Sequence, residues 1–217
     1  GAWQQVPFAY YHMLNRKRGE LMSESVSRSS NRVKSSWKEF WEWTKALLIA
    51  IALAVIIRTF LFAPFLVDGQ SMVPNLADNE RLIVNKLIYF IREPERGEIL
   101  VFHATAEKDY IKRVIGLPGE TVEMVDDKLY INGEEQHESY LQGVKEEYRE
   151  NGLNYTADFG PVKVPEGHVF VMGDNRPNSE DSREIGPVPF EAIVGRAELV
   201  FWPLSEVHML HWGGEGT

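Results

Sequence analysis

The sequence predicts a mainly β protein, built of partly closed antiparallel sheets and preceded by one N-terminal transmembrane helix. Three observations carry that expectation. An apolar run over residues 46–67, broken only by Arg58 and Thr59, approaches the ~20 residues that cross a hydrocarbon core. Short apolar or alternating segments follow it, separated by Gly, Pro, Asn and Asp. Beyond that run no stretch sustains a helical period for long.

Residues 1–45 form the expected cytoplasmic tail. Its first 21 residues precede Met22 and a Ser/Arg-rich stretch, and are expected to be an extension or a start-site artefact with no function. Trp37, Trp41 and Trp43 then crowd the edge of the apolar run as interfacial aromatics do, and Lys45 and Arg58 have stems long enough to snorkel. The uninterrupted apolar part, residues 46–57, is also of a length that suits a buried core helix. The flanking tryptophans and cations favour the membrane anchor over that alternative.

Charge predicts the orientation. Residues 1–45 carry 8 Lys and Arg against 4 Asp and Glu, whereas residues 68–217 carry 14 against 28. The basic side is expected in the cytoplasm and the large acidic domain outside the membrane. A cleaved secretory signal competes with an anchor, but Leu61-Phe-Ala63 lacks a small residue at the −3 position and Pro64 follows it. The acidic balance argues against nucleic acid as a partner. The absence of cysteine excludes thiol chemistry, thiolate metal sites and disulfide frameworks.

The outer domain, residues 68–217, is predicted to hold strands at Arg81–Val84, Ile99–Phe102, Tyr110–Ile115, Thr121–Val125, Lys128–Ile131, Val162–Val164, Val169–Met172 and Ala197–Phe201. A hairpin is expected to turn at Asp126-Asp127, and a short helix to fall within residues 85–91. Residues 134–160 lose periodicity and gain charge, so an irregular surface excursion is expected there.

Two segments suggest chemistry. Asp68-Gly-Gln-Ser71-Met-Val-Pro-Asn-Leu76 sets a serine in a turn just after the apolar run, and Tyr110-Ile-Lys112-Arg-Val-Ile-Gly-Leu-Pro-Gly119 sets a lysine inside an apolar strand. A serine hydroxyl attacks a carbonyl only if a base takes its proton. The histidines show no carboxylate partner in a recognisable arrangement. A lysine replaces them only when burial lowers its pKa far below the usual value near 10.4. Lys112 shares a strand face with Tyr110 and Val114, while Arg113, which stays charged, is expected to be structural or solvent-facing. A surface lysine that snorkels is the alternative for Lys112.

Four blocks in order carry a family resemblance: Gly69-Gln-Ser71-Met-Val-Pro74, Arg96-Gly-Glu-Ile-Leu-Val-Phe102, Tyr110 to Gly119, and Gly173-Asp-Asn-Arg-Pro-Asn-Ser179-Glu-Asp181-Ser-Arg183. Over about residues 40–205 the chain resembles type I signal peptidase, particularly the single-anchor form of Gram-positive bacteria. The resemblance implies the signal-peptidase fold and a membrane-bound endopeptidase that cuts signal peptides from secretory preproteins after a small-x-small sequence. It implies Ser71 as nucleophile, Lys112 as base, Ser179 as a hydroxyl that helps hold the lysine amine, Asp181 and Arg183 as a bracing ion pair, and Gly173 as a glycine that permits close packing. Phe65, Val67, Met72, Leu76, Tyr110 and Ile111 fall where the family lines its substrate pockets, and core packing is the alternative for each. Departures are Gly69 in place of a serine found in some relatives, Asn75 for threonine, and Glu98 and Glu120 for aspartate.

The expected partners are secretory preproteins and membrane lipid, with no metal or organic cofactor, and the chain is expected to work as a monomer. Two competing classes remain at this level. A tethered binding module accounts for anchor and sheets but not for Lys112, and a self-cleaving Ser/Lys domain shares the dyad but needs no anchor.

Overall fold

The computed structural model describes residue 16 and residues 37–210, without the side chains at 59 and 60. Most of the expected tail, including nearly all of residues 1–21, lies outside these residues. The chain separates into two compact units, residues 1–55 and 56–217. Residues 37–56 form helix α1, whose described side chains are exposed apart from a half-buried Thr44.

The expected anchor over residues 46–67 is corrected at its far end. A π-helical turn, Ile57–Leu61, follows α1, and Phe62–Leu66 is strand β1. Among the described residues no helix is long and apolar enough to cross a membrane. The physical reason is length. Lys38, Glu39, Glu42 and Lys45 fall within the described helix, and an apolar stretch of residues 46–57 rises only about 18 Å, against the ~30 Å of a hydrocarbon core. A continuous apolar run does not distinguish strand from helix, which is why β1 was hidden inside it.

The second unit is mainly β. In chain order it contains β2 (Arg81–Asn85), α2 (Ile88–Ile91), β3 (Ile99–His103), β4 (Asp109–Gly116), β5 (Thr121–Val125), β6 (Lys128–Ile131), β7 (Glu134–Gln136), α3 (Gln142–Glu150), β8 (Phe159–Lys163), β9 (His168–Met172), α4 (Ser182–Ile185), β10 (Val188–Pro189), β11 (Ile193–Trp202) and β12 (His208–Met209). One antiparallel sheet runs β1-β2-β11-β3-β4-β9-β10, with β12 added to β11, and a smaller one runs β7-β6-β5-β8. Neither sheet closes on itself, which corrects the expected partial closure: β1 pairs only with β2 and β10 only with β9 among the described residues, so the two ends of the large sheet do not meet. Pro64 in β1 suits an end strand, where a missing N–H interrupts no ladder.

The segment 134–160, expected to be irregular, is more ordered than that. Asn132 and Gly133 both have positive φ, 54° and 83°, and turn the chain from β6 into β7 as Asp126 and Asp127 turn it from β5 into β6. Helix α3 follows and has no buried residue, so its polar composition hid its period. Tyr148 of α3 meets Tyr155 edge to face at 4.9 Å.

Three apolar clusters hold the strands. Met72, Leu76, Leu82, Val84, Ile99 and Val101 belong to one, which anchors the turn after β1. Leu100, Phe102, Val114, Val169 and Val171 form a second on the other side of β3 and β4. Ile115, Val122, Met124, Val164 and Phe170 join the two sheets at the far end of β4. Strand β4 therefore touches all three clusters, and a polar side chain on it is held by rigid neighbours.

Candidate active site

Ser71 and Lys112 meet. The Lys112 Nζ lies 2.7 Å from the Ser71 Oγ, although the residues are 41 apart in sequence. Burial of Met72 and Leu76 in the first cluster pins the turn that carries Ser71. The turn is tightened by Leu76 N–H donating to Met72 O at 2.9 Å and Val73 N–H donating to Gln70 O at 3.2 Å. Asn175 ties it from the other side: its backbone N–H donates to Ser71 O and its Nδ2 to Gln70 O, both at 3.0 Å. No protein acceptor among the described residues takes the Ser71 N–H.

Lys112 is only 3% exposed, so it does not snorkel to the surface. Desolvation brings its pKa from the ordinary 10.5 down to about 8, against the opposing pull of Asp181, Glu180 and Asp174. Its amine lies 5.1 Å from the centroid of the Tyr110 ring. When protonated, the amine donates to Ser71. When neutral, its lone pair can accept the hydroxyl proton along the same line, which is the requirement for a lysine base.

Asp181 is the hub of the neighbouring loop. Its Oδ2 accepts from Gly173 N–H at 2.9 Å, Ser179 Oγ at 2.8 Å and Arg183 at 2.8 Å, and its Oδ1 accepts from Arg183 Nε at 2.8 Å. Burial disfavours its charge, but the Arg183 guanidinium and the N–H and hydroxyl donors outweigh that and hold the carboxyl below its ordinary range. Ser179, expected to help hold the Lys112 amine, directs its hydroxyl proton to Asp181. Gly173 leaves no room for a side chain, since a Cβ there would lie 2.2 Å from Ser179 Oγ and 2.5 Å from Ser71 O.

Arg113, expected to be structural or solvent-facing, is buried. It makes a two-point ion pair with Asp174, Nε–Oδ1 2.9 Å and NH2–Oδ2 2.6 Å, donates to Gly97 O, and lies 4.1 Å from the Tyr140 ring centroid. Asn75 donates to the same Asp174 at 2.8 Å, which joins the Ser71 turn to β4. A second buried pair, Arg176 with Glu138, lies behind the loop. Its partner falls in the segment 134–160, where sequence gave no sign of a site.

A cavity of about 230 Å³ opens beside Ser71 and Lys112, and Val67, Met72, Tyr110 and Ile111 are among the residues that line it. Phe65 and Leu76 do not line it. Leu76 is fully buried in the first cluster and Phe65 packs against that cluster, so both are core residues. Leu66, Asp68, Asp109 and Glu180 complete the wall and were not anticipated. Half of β4 is open here: Asp109 to Arg113 pair with β3, whereas β9 begins its pairing only at Arg113. The expectation that no histidine has a carboxylate partner is corrected by His103, whose Nδ1 lies 2.6 Å from Asp109 Oδ1 on the exposed side of β3 and β4. His103 is not part of the cavity wall.

A turn-borne hydroxyl beside a buried amine, on a mainly β frame, supplies the parts that a hydrolase of the serine type needs. Residues 40–202 match the family described as "Signal peptidase, peptidase S26". A "Signal peptidase I" of Bacillus amyloliquefaciens is 50% identical over 189 residues, 86% of this chain and 98% of that protein. "Signal peptidase I T" of Bacillus subtilis (strain 168) is 48% identical over the same shares. A crystal structure of a signal peptidase I from Enterococcus faecalis V583 is 44% identical, covers 49% of this chain and 97% of that one, and has a TM-score of 0.45. The chain belongs to the signal peptidase (S26) family and is a serine endopeptidase.

Proposed function

We propose that this chain is a membrane-bound signal peptidase that removes N-terminal signal peptides from exported preproteins after a small-x-small sequence, with Ser71 as nucleophile and Lys112 as general base. The observation that carries this is the 2.7 Å approach of the amine to the hydroxyl in a pocket where desolvation brings the amine's pKa to about 8. Neutral Lys112 takes the Ser71 proton as the oxygen attacks the scissile carbonyl. The resulting ammonium gives that proton to the leaving amine of the mature protein. Lys112, neutral again, takes a proton from water as it attacks the acyl ester and returns that proton to the departing Ser71 oxygen, and the signal peptide leaves as a carboxylic acid that ionises in solvent. The Ser71 N–H, which no protein acceptor among the described residues takes, serves as an oxyanion donor.

The open edge of β4 accepts the extended preprotein as an added strand, and Val67, Met72, Tyr110 and Ile111 receive its small side chains. The cavity of about 230 Å³ lies beside Ser71, where the residues preceding the cut would sit. Asp181 and Arg183 brace the loop, and Gly173 admits it against Ser71. The exposed Leu47, Leu48, Ile49, Ile51, Leu53 and Val55 of α1 support a membrane attachment through the apolar segment. The charge asymmetry supports a cytoplasmic tail over residues 1–45 and an extracytoplasmic catalytic domain. Incubating the purified chain in detergent with a precursor peptide containing Ala-x-Ala, and locating the cut by mass spectrometry, tests the proposal. A single cut directly after the second alanine supports it; no cut, or cuts scattered along the peptide, would reject it.

A further inference from the structure

The cavity wall contains a hydrogen bond that the proposed reaction does not use. The Tyr110 hydroxyl donates to Glu180 Oε2 at 2.7 Å, joining β4 to the loop that carries Ser179 and Asp181 at the cavity wall. Both residues line the same cavity as Ser71 and Lys112, and the Tyr110 ring lies beside the Lys112 amine. Glu180 itself is exposed and forms no ion pair, so its carboxylate is spent on Tyr110 alone among the described residues.

We propose that Glu180 is a positioning residue for the Ser71–Lys112 pair: it fixes Tyr110 against the amine and sets, through its charge, the pH range over which that amine is free to act. The inference rests on the Ser71–Lys112 assignment above. A carboxylate near an amine favours the ammonium, so it delays the appearance of the neutral base as pH rises. The other charged and titratable groups around the amine are Asp174, Asp181 and Arg183 from the loop, Asp68 and Asp109 from the cavity wall, and the Tyr110 phenol. Asp181 is paired with Arg183 and Asp174 with Arg113, and Glu180 has no cation partner among the described residues. Its influence is correspondingly direct, and weakened only by solvent.

The pH dependence of kcat/KM on an Ala-x-Ala precursor peptide tests this with the full chain and its Glu180→Gln, Glu180→Asp, Tyr110→Phe and Lys112→Ala variants. Glu180→Gln keeps an acceptor for Tyr110 and removes the charge, so the acid limb should move to lower pH by roughly half a unit. Glu180→Asp keeps the charge and should leave the limb near its original place. Tyr110→Phe keeps the charge but frees the ring, so it should lower kcat without moving the limb downward. An unmoved limb in Glu180→Gln, with Lys112→Ala inactive, overturns the role of Glu180 while leaving the dyad intact. Activity retained in Lys112→Ala instead overturns the dyad itself.

Discussion

Lys112 carries opposite consequences for catalysis and for folding. Its pKa of about 8 in the native chain lies below the 10.5 of the unfolded one. Between those values the unfolded chain binds a proton that the native chain does not, so stability contributed by this group rises with pH through that window. Below pH about 8 both states are protonated and the native state bears the full cost of a buried ammonium. Lys112→Met should therefore abolish cleavage yet stabilise the fold at neutral pH by roughly 1–3 kcal/mol, measured by urea unfolding. Lower stability in that variant would mean that the amine is held by favourable interactions and is not a strained base. Lys112→Arg should be equally inactive, because a guanidinium stays protonated.

Gly173 makes a second prediction at the same scale. A methyl group there meets Ser179 Oγ at 2.2 Å and backbone Ser71 O at 2.5 Å, and the backbone atom has little freedom to move. Gly173→Ala should cost about 1–3 kcal/mol of stability and a larger share of activity, because the displaced atom belongs to the Ser71 turn. A circular dichroism melt and a peptide assay on the same sample separate the two effects. Ser71, Lys112 and the bracing loop were legible through four ordered motifs, whereas the burial that gives Lys112 its character was not. An apolar neighbour in sequence does not say which strands will cover a side chain. Glu180, Asp68 and Asp109 were missed because a cavity wall assembled from three separated segments leaves no local pattern.

At the scale of elements, β4 is the organising strand. It joins β3 and β9, reaches all three apolar clusters, and presents Lys112 to the cavity while turning Arg113 to Asp174. Asp174 holds Arg113 and Asn75 together, so it fixes β4 relative to the Ser71 turn. Asp174→Ala would leave a buried guanidinium without its partner, which costs ~3–5 kcal/mol. The double change with Arg113→Met should regain much of that loss in equilibrium unfolding; additive losses would show that the pair is not the source. Most strands were legible because turn residues bracket them, as Pro118-Gly119 and Asp126-Asp127 do. Strand β1 was not, since a five-residue strand inside a longer apolar run has the same composition as a helix. Strand β7 and helix α3 were hidden by charge, which is expected of elements that bury little.

At the scale of the whole molecule, the sequence distinguishes a basic, apolar-flanked N-terminal region from an acidic β unit, and the chain divides into its two compact units between residues 55 and 56. The apolar stretch of residues 46–57 exposes leucine, isoleucine and valine side chains that water does not favour. The full chain should therefore float with lipid vesicles in a density gradient, and a chain beginning at residue 57 should lose most of that association. Unchanged flotation of the shortened chain would assign membrane binding to the β unit. The central claim, however, is confined to one nitrogen atom. Following the Lys112 side-chain amine by NMR across pH 6 to 11 in the Ser71→Ala chain reads its protonation directly. A midpoint near pH 8 is the expected result, and a midpoint near 10.5 would contradict the account.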